Sequence, residues 1–248
     1  DFFSISYGTS GIAPKDPIEQ EKYFELLHDQ SDIKQPDLLV FKRNDFNKID
    51  KLLKFIGGEE KIQFTEEKNS LIQELLEYSF MGIECEQSLW KVSKMKDFNR
   101  ELTAQKRLDG KLGLPKTAIT ANIMIKEEDR DRLQNWQKKN DIKIHVWHVF
   151  YDKAYGIKLD AAMKLVEDGL IEPTIQVFNE QHGVQTKKIM YKIYNNYAYF
   201  IGDIITQPKV NSGTLEADNG KIYPYAYFSD GDLNFSNELL NELHKHKR

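Results

Sequence analysis

The stretch Ile142–Phe150, IKIHVWHVF, limits the fold more than any other, because it is apolar on both of its strand faces. A strand with two apolar faces must be covered on both sides, so it belongs in the middle of a sheet with packed layers above and below. Its histidines, His145 and His148, are three residues apart. A strand turns such a pair to opposite faces, so they are not a metal-ligand pair and read as core or groove side chains.

The neighbouring segments supply that sheet and its cover. Leu38-Leu39-Val40-Phe41 follows Pro36-Asp37 and reads as a buried strand, with the proline keeping helix away from its entry. Asp45–Ile56 is amphipathic, with Phe46, Ile49, Leu52, Leu53 and Ile56 on one face and Gly57-Gly58 as its stop. Glu66–Ser79 predicts a second helix, with Leu71, Ile72, Leu75 and Leu76 inward. Gly82–Glu86 and Ala118–Lys126 read as strands, and Glu127–Asn140 as a surface helix that buries only Leu133 and Trp136. Leu159–Asp168 is a short helix stopped by Gly169. Near the start, Asp16, Pro17 and Glu19 signal the N-terminus of a helix ending near Gln30.

From Pro173 the texture becomes aromatic and β-branched. Thr174–Phe178 and Gln185–Tyr194 flank a turn at Asn179–Gly183, and Tyr197–Ile205 and Lys221–Phe228 add two strands. Asn234–Lys245 closes as a helix capped by Ser236. The succession predicts an α/β fold of the α+β kind: a central mixed sheet flanked by helices, with extra C-terminal hairpins. It is expected to form one domain over residues 1–248, with a core at 36–155, a β-rich extension at 173–228 and a final helix at 234–248.

Composition narrows the function. No apolar run approaches the length of a membrane span. The single cysteine excludes an intrachain disulfide and a cysteine-based zinc site, and suits a reducing cytoplasm. A net charge of −4 argues against a generic basic nucleic-acid binder. The exception is local: Lys91, Lys94, Lys96, Arg100, Lys106, Arg107, Lys111 and Lys116 crowd one stretch against three acids. It reads either as a solvated loop or as a phosphate-contacting segment.

The chemistry gathers at Gly82–Trp90, GIECEQSLW. Glu84 and Glu86 are two apart, so a strand sends both carboxylates to one face, with Ile83 and Cys85 on the other. Like charges that close repel unless a cation sits with them. Asp37 stands at the mouth of another strand and Lys126 at the end of a third. Carboxylates converging there suit Mg²⁺, and a lysine beside them stabilises phosphate charge or orients a water. Several alternatives fail on spacing. Gly110–Thr117 lacks the glycine-to-lysine spacing of a P-loop and runs into a strand. Ser10 lacks the second glycine of a nucleophile elbow. Glu84 and Glu86 are neighbours on one face, whereas a glycosidase holds its carboxylates across a substrate.

In this order the residues resemble the PD-(D/E)xK nuclease superfamily, and most closely its type II restriction endonucleases of the AccI-like group. The resemblance is carried by Pro36-Asp37, Ile83-Glu84-Cys85-Glu86, Ser88-Leu89-Trp90 and Ile125-Lys126-Glu127-Glu128-Asp129, and spans roughly residues 36–155. It implies a restriction-endonuclease-like core and Mg²⁺-dependent, sequence-specific hydrolysis of double-stranded DNA. It also implies a homodimer and a bacterial cytoplasmic setting. Asp37 takes the place of the first motif carboxylate and Glu84 that of the motif glutamate, with Asp37, Glu84 and Glu86 as metal ligands. The motif lysine falls on Glu86, a departure, so Lys126 is expected to supply the ammonium. A rival alignment makes Glu86 the first carboxylate and Lys126 the motif lysine, but meets Met124 where an acid belongs unless Glu77 substitutes. DNA contacts are expected from Arg100, Lys106, Arg107, Lys111 and Lys116 and from Lys187 and Lys188 on the hairpin. The alternative is a non-catalytic DNA-binding or protein-interaction module.

Overall fold

The computed structural model describes residues 1–8, 32–179, 185–216 and 222–245, together with Glu19, Glu25 and Gly220. The helix expected over 16–30 and most of the turn at 179–183 lie outside the described residues. In chain order the elements are β1 (Phe2–Ser6), β2 (Leu38–Lys42), α1 (Phe46–Ile56), α2 (Glu59–Ile62), α3 (Ser70–Tyr78) and β3 (Met81–Gln87). Then come β4 (Thr103–Ala104), β5 (Leu112–Gly113), β6 (Asn122–Lys126), α4 (Glu127–Asn140), β7 (Lys143–Val149), β8 (Lys153–Lys158) and α5 (Leu159–Glu167). The last part holds β9 (Pro173–Asn179), β10 (Gln185–Tyr194), β11 (Tyr199–Thr206), β12 (Lys209–Glu216), β13 (Ile222–Ser229), β14 (Asp232–Phe235) and α6 (Asn237–Lys245).

Seven strands form one mixed sheet in the order β1-β2-β3-β7-β8-β11-β14. β7 is its middle strand, as its two apolar faces demand. Only β3 and β7 run parallel among these pairs, so the chain must cross over between them, and it does so through β4, β5, β6 and α4. The two-residue period of β2 divides the core. Leu39 and Phe41 join the large cluster that packs Ile49 and Leu52 of α1, Ile72 and Leu75 of α3 and Trp136 of α4. Val40 faces the other way with Met81, Ile83 and Leu243 of α6. Helices therefore cover both faces of the sheet.

Local signals explain the boundaries. Gly57 ends α1 with φ at 105°, a conformation that favours glycine, and its N–H donates to the Leu53 carbonyl. α3 begins at Ser70 rather than near Glu66, because the Asn69 side chain caps it by accepting from the Leu71 N–H. Residues before it form a turn in which Glu67 faces inward. Ser236 caps α6, as expected, its Oγ accepting from the Leu239 N–H at 3.1 Å. Phe46 is more exposed than its place on the apolar face of α1 implies, at 42%. It still packs edge-on against Phe3, with ring centroids 5.3 Å apart.

The structure differs from the sequence reading at β6. That strand is shorter than expected and lies outside the central sheet. It pairs with β10 in a three-stranded sheet of order β6-β10-β9, with Lys192 opposite Met124 and Met190 opposite Lys126. The expected hairpin is the β9–β10 pair of this second sheet. β11, from the same aromatic region, joins the central sheet instead. No helix among the described residues is long and apolar enough to cross a membrane.

One half-buried carboxylate ties the layers together. Glu67 accepts from Tyr7 Oη at 2.9 Å, Gln35 Nε2 at 3.2 Å, Trp136 Nε1 at 2.7 Å and Lys139 Nζ at 2.7 Å. Burial alone raises its pKa, but these donors outweigh burial and leave it lowered. A carboxylate whose pKa is lowered by folding stabilises the fold above its unfolded pKa, and that contribution is lost as pH falls through the folded value. Glu67→Gln is expected to cost about 2 kcal/mol at neutral pH. It should also reduce the loss of stability on the acid side, as read by denaturant unfolding across pH.

Candidate active site

β3 carries the site because its two neighbours hold it deep in the sheet while its C-terminal half runs out to the edge of the core. Glu84 is buried, at 5% exposure, whereas Glu86, two residues on, is half-buried. Asp37 reaches the same place from the turn before β2. Its Oδ2 accepts from the Cys85 N–H at 2.6 Å, which fixes the carboxylate against β3. Gly82 makes this approach feasible. A Cβ there would lie 2.8 Å from Cγ of Pro36, a rigid ring with nowhere to swing. Asp37 is thus both a turn residue, whose backbone carbonyl accepts from the N–H groups of Tyr7 and Gly8, and a member of the cluster through its side chain.

Two further residues complete the geometry, and neither was nominated from the sequence. Lys34 Nζ lies 2.5 Å from Glu84 Oε1 and 3.0 Å from Asp129 Oδ2. Asp129 sits in the first turn of α4, three residues after Lys126. Lys126 Nζ is 3.5 Å from Glu86 Oε1 and 3.9 Å from Asp129 Oδ2. The result is a chain of alternating charges, Glu84–Lys34–Asp129–Lys126–Glu86, running from the core to its rim. Although β6 belongs to the second sheet, its end delivers Lys126 to the carboxylates of the first. The structure thus brings Asp37 to Glu84 and Lys126 to Glu86, but the two pairs are linked through Lys34 and Asp129, and Glu86 does not join Asp37 and Glu84 in the expected set of three metal ligands. Glu77, by contrast, is exposed on α3.

The electrostatics follow from burial. Burial and then the Asp37 charge push Glu84 up to about 7, against the pull of Lys34 and with a further push from Asp129. Burial alone would lower the pKa of Lys34, but Glu84 and Asp129 outweigh it and raise it, so its ammonium stays charged. Asp37 Oδ1 and Glu84 Oε2 are both buried with no hydrogen-bond partner. Two orphaned carboxylate oxygens that repel one another form a suitable seat for a hard cation. Mg²⁺ is usually held by one or two carboxylates, with waters and phosphate oxygens completing its shell. No group of three or more His, Cys, Asp or Glu placed to hold a metal is formed among the described residues. The fit is thus to a cation held by Asp37 and Glu84, with its other ligands from outside the protein.

The basic residues divide into two sets. Arg100 pairs with Asp97 at 2.7 Å and Lys188 with Glu128 at 2.6 Å. Arg107 is held by Glu172 and by the Leu114 carbonyl, and Lys111 Nζ donates to the Asp168 carbonyl at 2.5 Å. These four brace the fold. Lys106, Lys116 and Lys187 make no ion pair among the described residues. Lys116 and Arg107 line a cleft that shares Ala118, Asn122 and Lys192 with a second cleft beside β6. Comparison with known proteins gives no matching family model, no matching curated protein and no matching solved structure.

Lys34 compensates two carboxylates that are mostly removed from water. Removing one partner of a buried charge pair costs roughly 3–5 kcal/mol. Lys34→Met is expected to lose stability of that order in EDTA, and millimolar Ca²⁺ should restore part of it. Thermal unfolding of the variant with and without Ca²⁺ reads both effects.

Proposed function

We propose that this protein is a Mg²⁺-dependent endonuclease acting on double-stranded DNA, with a core of the restriction-endonuclease kind. The observation that carries the reading is one chain of charges that joins Asp37 and Glu84 to Glu86 and Lys126 through Lys34 and Asp129, with two carboxylate oxygens buried and unpartnered. The resemblance of the sequence motifs to type II restriction enzymes adds the expectation of site-specific cleavage and of a homodimer. A symmetric dimer would present one site to each DNA strand.

Asp37 and Glu84 would hold Mg²⁺, which when bound neutralises phosphate charge and makes a water nucleophilic. The protein's own groups do the rest. Lys126 stands at the rim with its ammonium near Glu86, where it offers a donor to a phosphate oxygen as negative charge develops. Glu86 orients that ammonium and is placed to accept a proton from a water in the cleft. Lys34 and Asp129 hold Glu84 in position and balance its charge. Because Asp37 Oδ2 is tied to the β3 backbone, its free oxygen points from a rigid support, as a catalytic group requires. The departure from the family pattern at Glu86 is consistent with this arrangement, since an ammonium reaches the same place from β6.

Negatively charged backbone has a path to these groups. The two clefts with common residues lead from the neighbourhood of β6 toward Lys116, with Lys192 lining both. Phosphate contacts of this kind supply salt-dependent, sequence-independent affinity.

Incubation with long, sequence-diverse plasmids in Mg²⁺ should give discrete fragments, and EDTA should abolish them. Glu86→Gln and Lys126→Ala should keep the wild-type melting temperature and DNA binding, while cleavage falls by about 10³-fold or more. DNA binding without cleavage of any plasmid would identify a non-catalytic binding module instead. Wild-type cleavage by Lys126→Ala would remove Lys126 from the chemistry.

A further inference from the structure

The second cleft holds about 400 Å³ and is walled by Met124, Phe150, Trp90 and Lys192, with His148 and Gln176 also lining it. Its polar groups are anomalous. His148 is 1% exposed, yet neither Nδ1 nor Nε2 has a hydrogen-bond partner. Gln176 Oε1 is likewise buried and unpartnered. Buried polar atoms in folded proteins are nearly always paired, and leaving one unpaired costs the fold stability. Unpaired atoms from two different sheets, meeting in one cleft, point to a partner from outside the chain.

The walls define what that partner is. His148 and Phe150 stack with ring centroids 4.3 Å apart and planes 17° from parallel, so Phe150 covers a face of the imidazole and its edge is left to meet a ligand. Trp90 is 67% exposed at the cleft, an unusual cost for a large aromatic unless something stacks on it. The ligand is therefore planar and aromatic, with hydrogen-bonding groups on its edge. Burial pushes His148 down to about 4, so at neutral pH the imidazole presents one donor and one acceptor. Gln176 adds a carboxamide with both functions. Lys192 supplies a cation for an attached phosphate.

The cleft adjoins the candidate active site. Asn122, Met124 and Lys126 alternate with the buried Ile123 and Ile125, so they share one face of β6. Two of the three line the cleft and the third reaches Glu86. His148 also stands opposite Glu86 in the parallel register of β3 and β7.

We propose that this cleft receives a single nucleobase, unstacked from the DNA strand whose phosphate lies at Lys126, with His148 and Gln176 reading its edge and Trp90 covering its face. The base in a duplex is stacked, so entry requires extrusion, at a cost in unstacking that the aromatic walls offset. The proposal rests on the nucleic-acid reading of the adjoining site for its physiological ligand. Binding of an isolated nucleotide does not depend on cleavage.

The test uses the four deoxynucleoside 5′-monophosphates as probes, with 2-deoxyribose 5-phosphate as the base-free control, followed by saturation-transfer NMR on the full chain. At least one nucleotide is expected to bind saturably through its base protons, and the control is expected to show no saturable binding. His148→Phe and Gln176→Leu should each weaken that binding about tenfold or more, the loss of one edge contact. Gln176, which is only half-buried, keeps the test valid if His148→Phe fails to fold. Absence of binding by all four nucleotides would overturn the proposal, as would binding unchanged in both variants. Plasmid cleavage measured alongside separates the two readings. Cleavage without nucleotide binding removes the base cleft alone, whereas nucleotide binding without cleavage removes the nuclease and leaves the cleft.

Discussion

The structure depends on one ammonium placed between two buried acids. Lys34 Nζ contacts Glu84 and Asp129 where little water reaches them, and this contact lets three segments meet. Glu84 comes from the central sheet, Asp129 from the helix after the second sheet, and Lys34 from the segment leading to β2. Without that positive charge the two carboxylates would repel across the junction of both sheets. The backbone N–H of Lys34 donates to the Arg132 carbonyl at 3.2 Å, which anchors the segment to α4. The charge chain is therefore also a structural joint.

The joint sets the character of the site. Glu84 is buried, held by Lys34, and faces Asp37 with one oxygen unpaired, while Glu86 and Lys126 lie at the rim. A gradient from deep, fixed carboxylates to a reachable acid and ammonium suits a reaction on a bulky anionic substrate. Under the proposed function the inner groups would hold a cation and the outer pair would meet the substrate. Glu67 performs a related task close by, where its donors come from Tyr7, from Gln35 next to Lys34, and from Trp136 and Lys139 of α4.

Much of this was legible in the residues. The two apolar faces of Ile142–Phe150 predicted a central strand, and the same-face spacing of Glu84 and Glu86 predicted one cluster. Helix α4 was readable from its acidic start and basic end. The placement of Lys126 was readable only in part. The sequence marks its strand end but not the sheet, because the pairing of β6 with β10 joins residues more than sixty apart. Asp129 is one of three acids in the first turn of α4, where the helix dipole alone favours an acid, so nothing local marks its contact with Lys34. Lys34 carried no local signal, since its role comes from a turn that folds back onto β3. The pairing within the basic stretch at 91–116 was hidden for a related reason. Charge density in sequence does not show that Arg100, Arg107 and Lys111 are held by Asp97, Glu172, Leu114 and Asp168. Lys116 remains at the cleft.

The central claim is that Asp37 and Glu84 form a seat for a divalent cation beside the Lys34 joint. Counting bound Mn²⁺ by electron paramagnetic resonance tests it directly, in the wild-type protein and in Asp37→Asn. The Asn side chain keeps an oxygen to accept from the Cys85 N–H, so the support of β3 survives while the charge is lost. The account predicts saturable Mn²⁺ binding by the wild type and at least about tenfold weaker binding by Asp37→Asn. Equal Mn²⁺ binding by the two proteins would contradict it, as would no binding by the wild type.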